Sequence, residues 1–166
     1  MKRRIIVTML ALAAFCLAGA PALADDAALL RAIKDKVHAA VRILAEEGRD
    51  GLEQFNDVDG RWGQEPYVFV FDEKGVILAH ANDQALVGKT LLGITDVKGR
   101  RFIQDAIDIV KGPGRGWSEY WWYEKPHNEH KHKLSYIMAV PGQPMGVGAG
   151  VRSDITAQEA NRLVAP

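Results

Sequence analysis

The chain has 166 residues, 21 Lys and Arg against 21 Asp and Glu, and one cysteine. That length fits one domain, and a net charge of zero argues against a broad electrostatic surface for nucleic acid. The first residues change how both counts are read. Lys2, Arg3 and Arg4 precede an uncharged run from Ile5 to Ala24 that ends in Ala22-Leu23-Ala24. Basic start, apolar middle and small-residue cleavage site are the three parts of a secretory signal peptide. Residues 1–24 are therefore expected to be removed, placing the remainder in the periplasm or outside the cell. The alternative is a retained membrane anchor. Against it, the apolar core from Ile5 to Ala18 is shorter than the ~20 residues a spanning helix needs. No second apolar run approaches that length, so no membrane insertion is expected after cleavage. Cleavage leaves 142 residues with 18 basic and 21 acidic side chains, a net charge of −3. Cys16 goes with the leader, and with it disulfides, covalent haem attachment, thiolate metal sites and cysteine nucleophiles.

From Asp25 to Glu47 there is no Gly or Pro, and Leu30, Ile33, Val37, Val41 and Leu44 recur at helical spacing. This predicts a long amphipathic N-terminal helix over 25–48, closed at Gly48. Leu52 to Glu65 reads as a loop with at most a helical turn. The period then changes to that of strands. Tyr67-Val68-Phe69-Val70-Phe71 and Val76-Ile77-Leu78-Ala79 flank Asp72-Glu73-Lys74-Gly75, the pattern of a β-hairpin. An irregular stretch from His80 to Thr95 leads to a second helix, expected over Lys98–Lys111 and stopped at Gly112-Pro113-Gly114. Three strands follow, at 116–124, 131–140 and 145–151, the first two joined by a polar tip. Thr156 and Glu159 have capping-box spacing and open a C-terminal helix over 156–164. Strands joined by hairpins, with helices set apart from them, predict an antiparallel sheet in an α+β domain.

Five of the eight Trp and Tyr residues fall within Trp117–Tyr123. On a strand, Ser118, Tyr120 and Trp122 share one face and Trp117, Glu119, Trp121 and Tyr123 the other. Buried Tyr and Trp need partners for their polar atoms, so this strand either packs a small core or lines a pocket. His127, His130 and His132 form an H-x-x-H-x-H set that can ligate a metal. Their place at a hairpin tip beside Lys125, Lys131 and Lys133 points rather to a solvated turn. Gly88-Lys89-Thr90 lacks the first glycine of a phosphate loop, and Val151 stands where a dinucleotide fingerprint needs its last glycine. Ser118 and Ser135 have no nucleophile motif around them. No catalytic residue and no cofactor is assigned.

Several blocks together resemble a known family. They are Tyr67–Asp72 with Gly75 and Leu78-Ala-His80; Leu86-Val-Gly88-Lys89; Asp96 with Gly99; Gly116 with Tyr120-Trp-Trp122 and Pro126; Lys133-Leu-Ser-Tyr136; and Gly146-Val-Gly-Ala-Gly150-Val151. In this order they are similar to the single Cache domains (Cache type 2) of bacterial extracytoplasmic sensors. The resemblance implies a long N-terminal helix packed on a PAS-like antiparallel sheet of about five strands, with the core at 62–152 inside a domain spanning 25–166. It also implies a small-molecule pocket between the sheet and the segment crossing it, often suited to short organic acids. Family members usually sit between two membrane spans of a chemoreceptor or kinase. No signalling module is recognised here, so a free-standing periplasmic member with its output on another chain is expected. Ala81 departs from the proline common in the family after the strand-end histidine.

Carried onto this sequence, the resemblance implies a pocket group of His80, Tyr120, Trp122, Lys133 and Tyr136, walled by Trp62, Tyr67 and Trp117. A carboxylate would meet a cation at Lys133 and donors at His80 and the tyrosines. Strand parity sets Lys133 and Tyr136 on opposite faces unless a bulge intervenes. The resulting expectation is a non-enzymatic sensor input domain that binds a small organic acid and acts through a membrane receptor or kinase, with no nucleic-acid partner. The rival is a metal-handling protein or non-catalytic enzyme subunit using the histidine tip.

Overall fold

A computed structural model describes residues 20–124 and 127–164. The expected leader falls mostly outside these residues. In chain order the elements are α1 (Ala20–Glu47), a 3-10 helix (Gly48–Phe55), β1 (Tyr67–Asp72), β2 (Ile77–His80), a short 3-10 turn (Gln84–Leu86), α2 (Phe102–Lys111), β3 (Arg115–Glu124), β4 (Glu129–Ala139), β5 (Met145–Arg152) and α3 (Ala157–Leu163). All pairings are antiparallel and the strand order is β2-β1-β5-β4-β3. The α+β class, the long first helix and the five strands match the sequence reading.

Three boundaries differ. Helix α1 begins at Ala20, ahead of Asp25, because the small and apolar residues before the acids are themselves compatible with helix. The segment after it, read as a loop, starts with eight residues of 3-10 helix that bury Phe55. Helix α2 starts at Phe102 rather than Lys98. Asp96 Oδ1 accepts hydrogen bonds from the backbone N–H of Lys98 (2.8 Å) and Arg100 (2.9 Å), and Gly99 sits at φ +79°. An Asp-centred turn therefore uses the residues that would have formed the first helical turn.

The sheet is covered on both faces. On one, α1 buries Leu30, Ile33, Val37, Ala40, Val41 and Leu44 against Val68 and Val70 of β1, Val147 and Ala149 of β5, and Leu134 and Tyr136 of β4. Each Val, Leu or Ile among them contributes about 1.5–3 kcal/mol by leaving water. The tip of α3 seals the end of this layer with Ala160 and Val164, its start fixed by reciprocal Thr156 and Glu159 hydrogen bonds. On the other face lie α2 and the crossing segment 81–101. They pack Leu91, Phe102, Ile103, Ala106 and Ile107 on Phe69, Phe71, Ile77, Tyr120 and Ile137.

Central strand β5 explains its glycines. Met145, Val147, Ala149 and Val151 point to α1, leaving Gly146, Gly148 and Gly150 on the α2 face. There the rings of Phe71 and Phe69 lie over Gly146 and Gly148, and Ser135 crowds Gly150; a Cβ at any of the three would overlap them. The strand is bare on this face so that side chains from its neighbours can cross it.

Candidate ligand-binding site

The α2 face gathers the unusual chemistry. Lys133 projects from β4 into this layer and is 4% exposed. Tyr67 on β1 faces Gly150 of β5, and Lys133 faces Arg152 of the same strand, so lysine and tyrosine stand on either side of the bare strand. Lys133 Nζ donates to the Tyr67 hydroxyl. Around it stand four rings, with centroids 3.7 Å (Tyr67), 5.6 Å (Phe69), 5.7 Å (Trp122) and 6.0 Å (Tyr120) from Nζ. Ring faces attract a cation, but they do not neutralise it. Among the described residues no Asp or Glu forms an ion pair with Lys133. Burial accordingly pulls its pKa down to about 7.

His80 reaches the same face by a local irregularity. Phe71 pairs with Ile77 and Val70 with Ala79, so Leu78 is an extra residue in β2, and Phe69 then pairs with His80. The bulge turns Ile77 and His80, three apart, to one side. Nδ1 of His80 accepts from the backbone N–H of Asp83 (2.8 Å). Burial first, then the Lys133 charge, push its pKa down to about 3, so the ring is neutral and carries its proton on Nε2. The phenols complete the set. Burial lifts Tyr120 to about 12 and Tyr67 well above its ordinary value, keeping both protonated. Tyr120 exchanges a 3.2 Å hydrogen bond with Ser135 Oγ. Beside Ser135 on the ladder, Ser118 Oγ is buried with no hydrogen-bond partner among the described residues.

Two spaces open against these groups. A void of about 20 Å³ is lined by Lys133, Tyr120, Phe69, Ile77 and Ile103, among others. That is room for one water or one ligand oxygen. A larger cavity of about 600 Å³ adjoins it and shares Tyr67, His80, Leu91, Phe102 and Trp122 as walls. Its roof is the crossing segment, pinned to β3 by Asp96, whose Oδ2 accepts from the backbone N–H of Trp121 (3.0 Å). Burial alone would raise the Asp96 pKa; the three backbone donors outweigh it and hold the carboxylate below its usual value.

Of the eight residues expected at the pocket, the structure brings five together on this face: Tyr67, His80, Tyr120, Trp122 and Lys133. Trp62, Trp117 and Tyr136 lie on the opposite face in the α1 core, with Trp117 and Tyr136 edge to face at 4.9 Å. Strand β4 has no bulge in its pairing with β3 or β5, so Lys133 and Tyr136 keep opposite faces as parity requires.

The family described as Cache domain matches over residues 60–165. This chain belongs to the Cache domain family. Cache domains are extracytoplasmic sensor domains, and the relatives of this one are of chemoreceptor and kinase type. The sensor histidine kinase MctS of Rhizobium johnstonii (strain DSM 114642 / LMG 32736 / 3841) is 30% identical over 100 residues, 60% of this chain and 22% of the kinase. The chain thus spans about a fifth of that relative's length. Among solved structures, a periplasmic sensor domain of a chemotaxis protein superposes with a TM-score of 0.65 at 25% identity, covering 81% of this chain and 100% of that one. A methyl-accepting chemotaxis protein from Vibrio parahaemolyticus RIMD 2210633 gives a TM-score of 0.59 at 24% identity, covering 80% and 97%. A Cache chemosensory domain, solved to show the structural basis of its carboxylic acid recognition, gives 0.57 at 21% identity, covering 80% and 89%.

Within this Cache domain, sequence reasoning missed Phe69, Leu91, Phe102 and Asp96 as parts of the site. Phe69 was legible, since it shares strand parity with Tyr67. Leu91 and Phe102 carry no local signal, being apolar residues of a loop and a helix start. Of the histidine tip, His127 and His130 both line the larger cavity. His130 packs on Tyr123, and His132 packs on Trp121 while its Nδ1 meets the Ser153 carbonyl. The described residues contain no group of three His, Cys, Asp or Glu able to hold a metal ion. Nor is any of their helices long and apolar enough to cross a membrane.

Proposed function

We propose that this Cache domain binds a small organic carboxylate with its carboxyl group against Lys133, and that occupancy is passed to a separate membrane receptor or kinase. The observation carrying this reading is Lys133 itself, a buried ammonium with no ion-pair partner among the described residues. A buried charge without a counter-ion costs several kcal/mol, a cost an anionic ligand removes. Groups able to donate to a carboxylate stand around it: the Tyr67 hydroxyl, which accepts from Lys133 and keeps its own proton to give, the Tyr120 hydroxyl and the Nε2–H of His80. Carboxylic acid recognition by a structurally similar Cache chemosensory domain supports the ligand class. Kinship with a sensor histidine kinase supports the kind of partner.

A calorimetric screen of two- to four-carbon carboxylates, amines and amino acids tests the ligand. Carboxylates are expected to bind and amines not. Lys133→Met should weaken carboxylate binding about 100-fold, the loss typical of truncating a buried charge pair, whereas His130→Ala should leave it in place. Binding kept in Lys133→Met and lost in His130→Ala would move the site to the tip.

A further inference from the structure

The void at Lys133 has room for part of a carboxyl group only, and most of the space on this face lies beyond it. A cavity of about 600 Å³ falls within the range of sites that take ligands of drug size. A two- to four-carbon acid, anchored at Lys133, would leave most of it to water. The lining of that larger space is informative. Leu86, Leu91, Ile94, Phe102 and Trp122 present apolar surface. Ile94 is 48% exposed, a large aliphatic side chain facing an open cavity.

The charged groups at this cavity are already engaged. Asp96 takes three backbone N–H groups. Arg152 is held by Glu124 and by Glu65, the latter at 3.0 Å. Asp83 caps the 3-10 turn through Ala85 N–H. The strong anion site lies in the adjoining void, at Lys133. The cavity itself also has Asn82, Thr95, His127 and His130 in its walls, and among its described residues no carboxylate is left unengaged to receive a ligand ammonium and no guanidinium to receive a second carboxylate.

Resting on the reading above, we infer that the preferred ligand is a monocarboxylate with an apolar body, a medium-chain alkyl or an arylalkyl acid, whose carboxyl group meets Lys133 and whose body fills the outer cavity. This separates it from dicarboxylates and amino acids, which carry a second charge into a space whose carboxylates and guanidinium are already paired. Burial of each added methylene should tighten binding about fourfold until the cavity is filled.

Calorimetry on the full chain with acetate, butanoate, hexanoate, octanoate, phenylacetate, succinate and alanine tests this. Affinity is expected to rise from acetate to octanoate, with phenylacetate among the tight binders and succinate and alanine below hexanoate. A Leu86→Ser/Ile94→Ser double variant, altering part-exposed positions, should narrow the octanoate-to-acetate affinity ratio about tenfold. If acetate binds tightest, or succinate or alanine outbinds hexanoate, the apolar-body inference fails while carboxylate binding at Lys133 stands. If no acid binds at all, both fail together.

Discussion

On the α1 face of the sheet the buried side chains are aliphatic or aromatic, while the opposite face, built from alternate residues of the same strands, holds His80, Ser118, Lys133 and Ser135. The two faces have comparable burial and different composition. Against α1, side chains interdigitate with a continuous helix, and the polar atoms are those carried by the rings of Trp62, Trp117 and Tyr136. Against α2 and the crossing segment, the central strand is bare and the polar groups converge. Polar burial costs free energy wherever it occurs. Its confinement to one face of one sheet teaches that the domain keeps one layer almost wholly apolar and gathers its buried polar groups in the other.

Acid should act most strongly on the cavity face, through His80, with a smaller effect at His38 on α1, whose pKa burial also lowers. His80 sits near pKa 3 when folded against 6.5 ordinarily. Between those values the unfolded chain binds the extra proton, so stability is complete above pH 6.5 and falls as pH drops toward 3. The full window is worth up to about 5 kcal/mol. Chemical denaturation at pH 6.5 and 5.5, above the ordinary carboxylate pKa values, should show the loss in the natural chain and most of it gone in His80→Gln. Equal loss in both would assign the acid sensitivity elsewhere.

The helix face should respond oppositely. Leu44→Ala removes a fully buried side chain from the α1 layer and should cost about 3 kcal/mol of stability. Carboxylate affinity of the folded protein should stay within about twofold of the natural value. A large change in affinity at saturating fold would mean that the two layers are energetically coupled.

Ligand binding should take up a proton. Lys133 has a pKa near 7 in the unliganded fold, and a carboxylate beside it raises that value. Affinity is therefore level below pH 7 and should fall up to about tenfold per pH unit above it. Calorimetry in buffers of different ionisation enthalpy checks this directly; zero proton uptake at pH 8 would contradict the placement. The same lysine, lowered from 10.5, makes the unliganded fold gain stability as pH rises from 7 toward 10.5.

The smallest effect sharpens the division between faces. Tyr136 packs on Trp117 in the α1 layer, so Tyr136→Phe should change stability by less than about 0.5 kcal/mol and leave carboxylate affinity unaltered. A tenfold loss in affinity would place its hydroxyl in the recognition site after all.

Element order, strand pairing by hairpins and the opposed faces of Lys133 and Tyr136 were all legible in the sequence, because they follow from local periodicities and turn residues that need no distant partner. The lysine at the centre of the proposed site was reachable only through the family resemblance, as a residue of a matching strand block. Tertiary structure alone decided which of the two strand faces received the helix and which the cavity. It also decided that an extra residue in β2 swings His80 to the cavity side, that three glycines of β5 clear the path between Lys133 and Tyr67, and that Leu91 and Phe102 close the walls. Those outcomes depend on contacts between residues far apart in the chain, where the cost of crowding or desolvation is set by what arrives on the other side. A lysine in a strand is ordinary by itself; ringed by aromatics over a bare strand, with no carboxylate among the described residues in ion-pair contact, it becomes the candidate for a site.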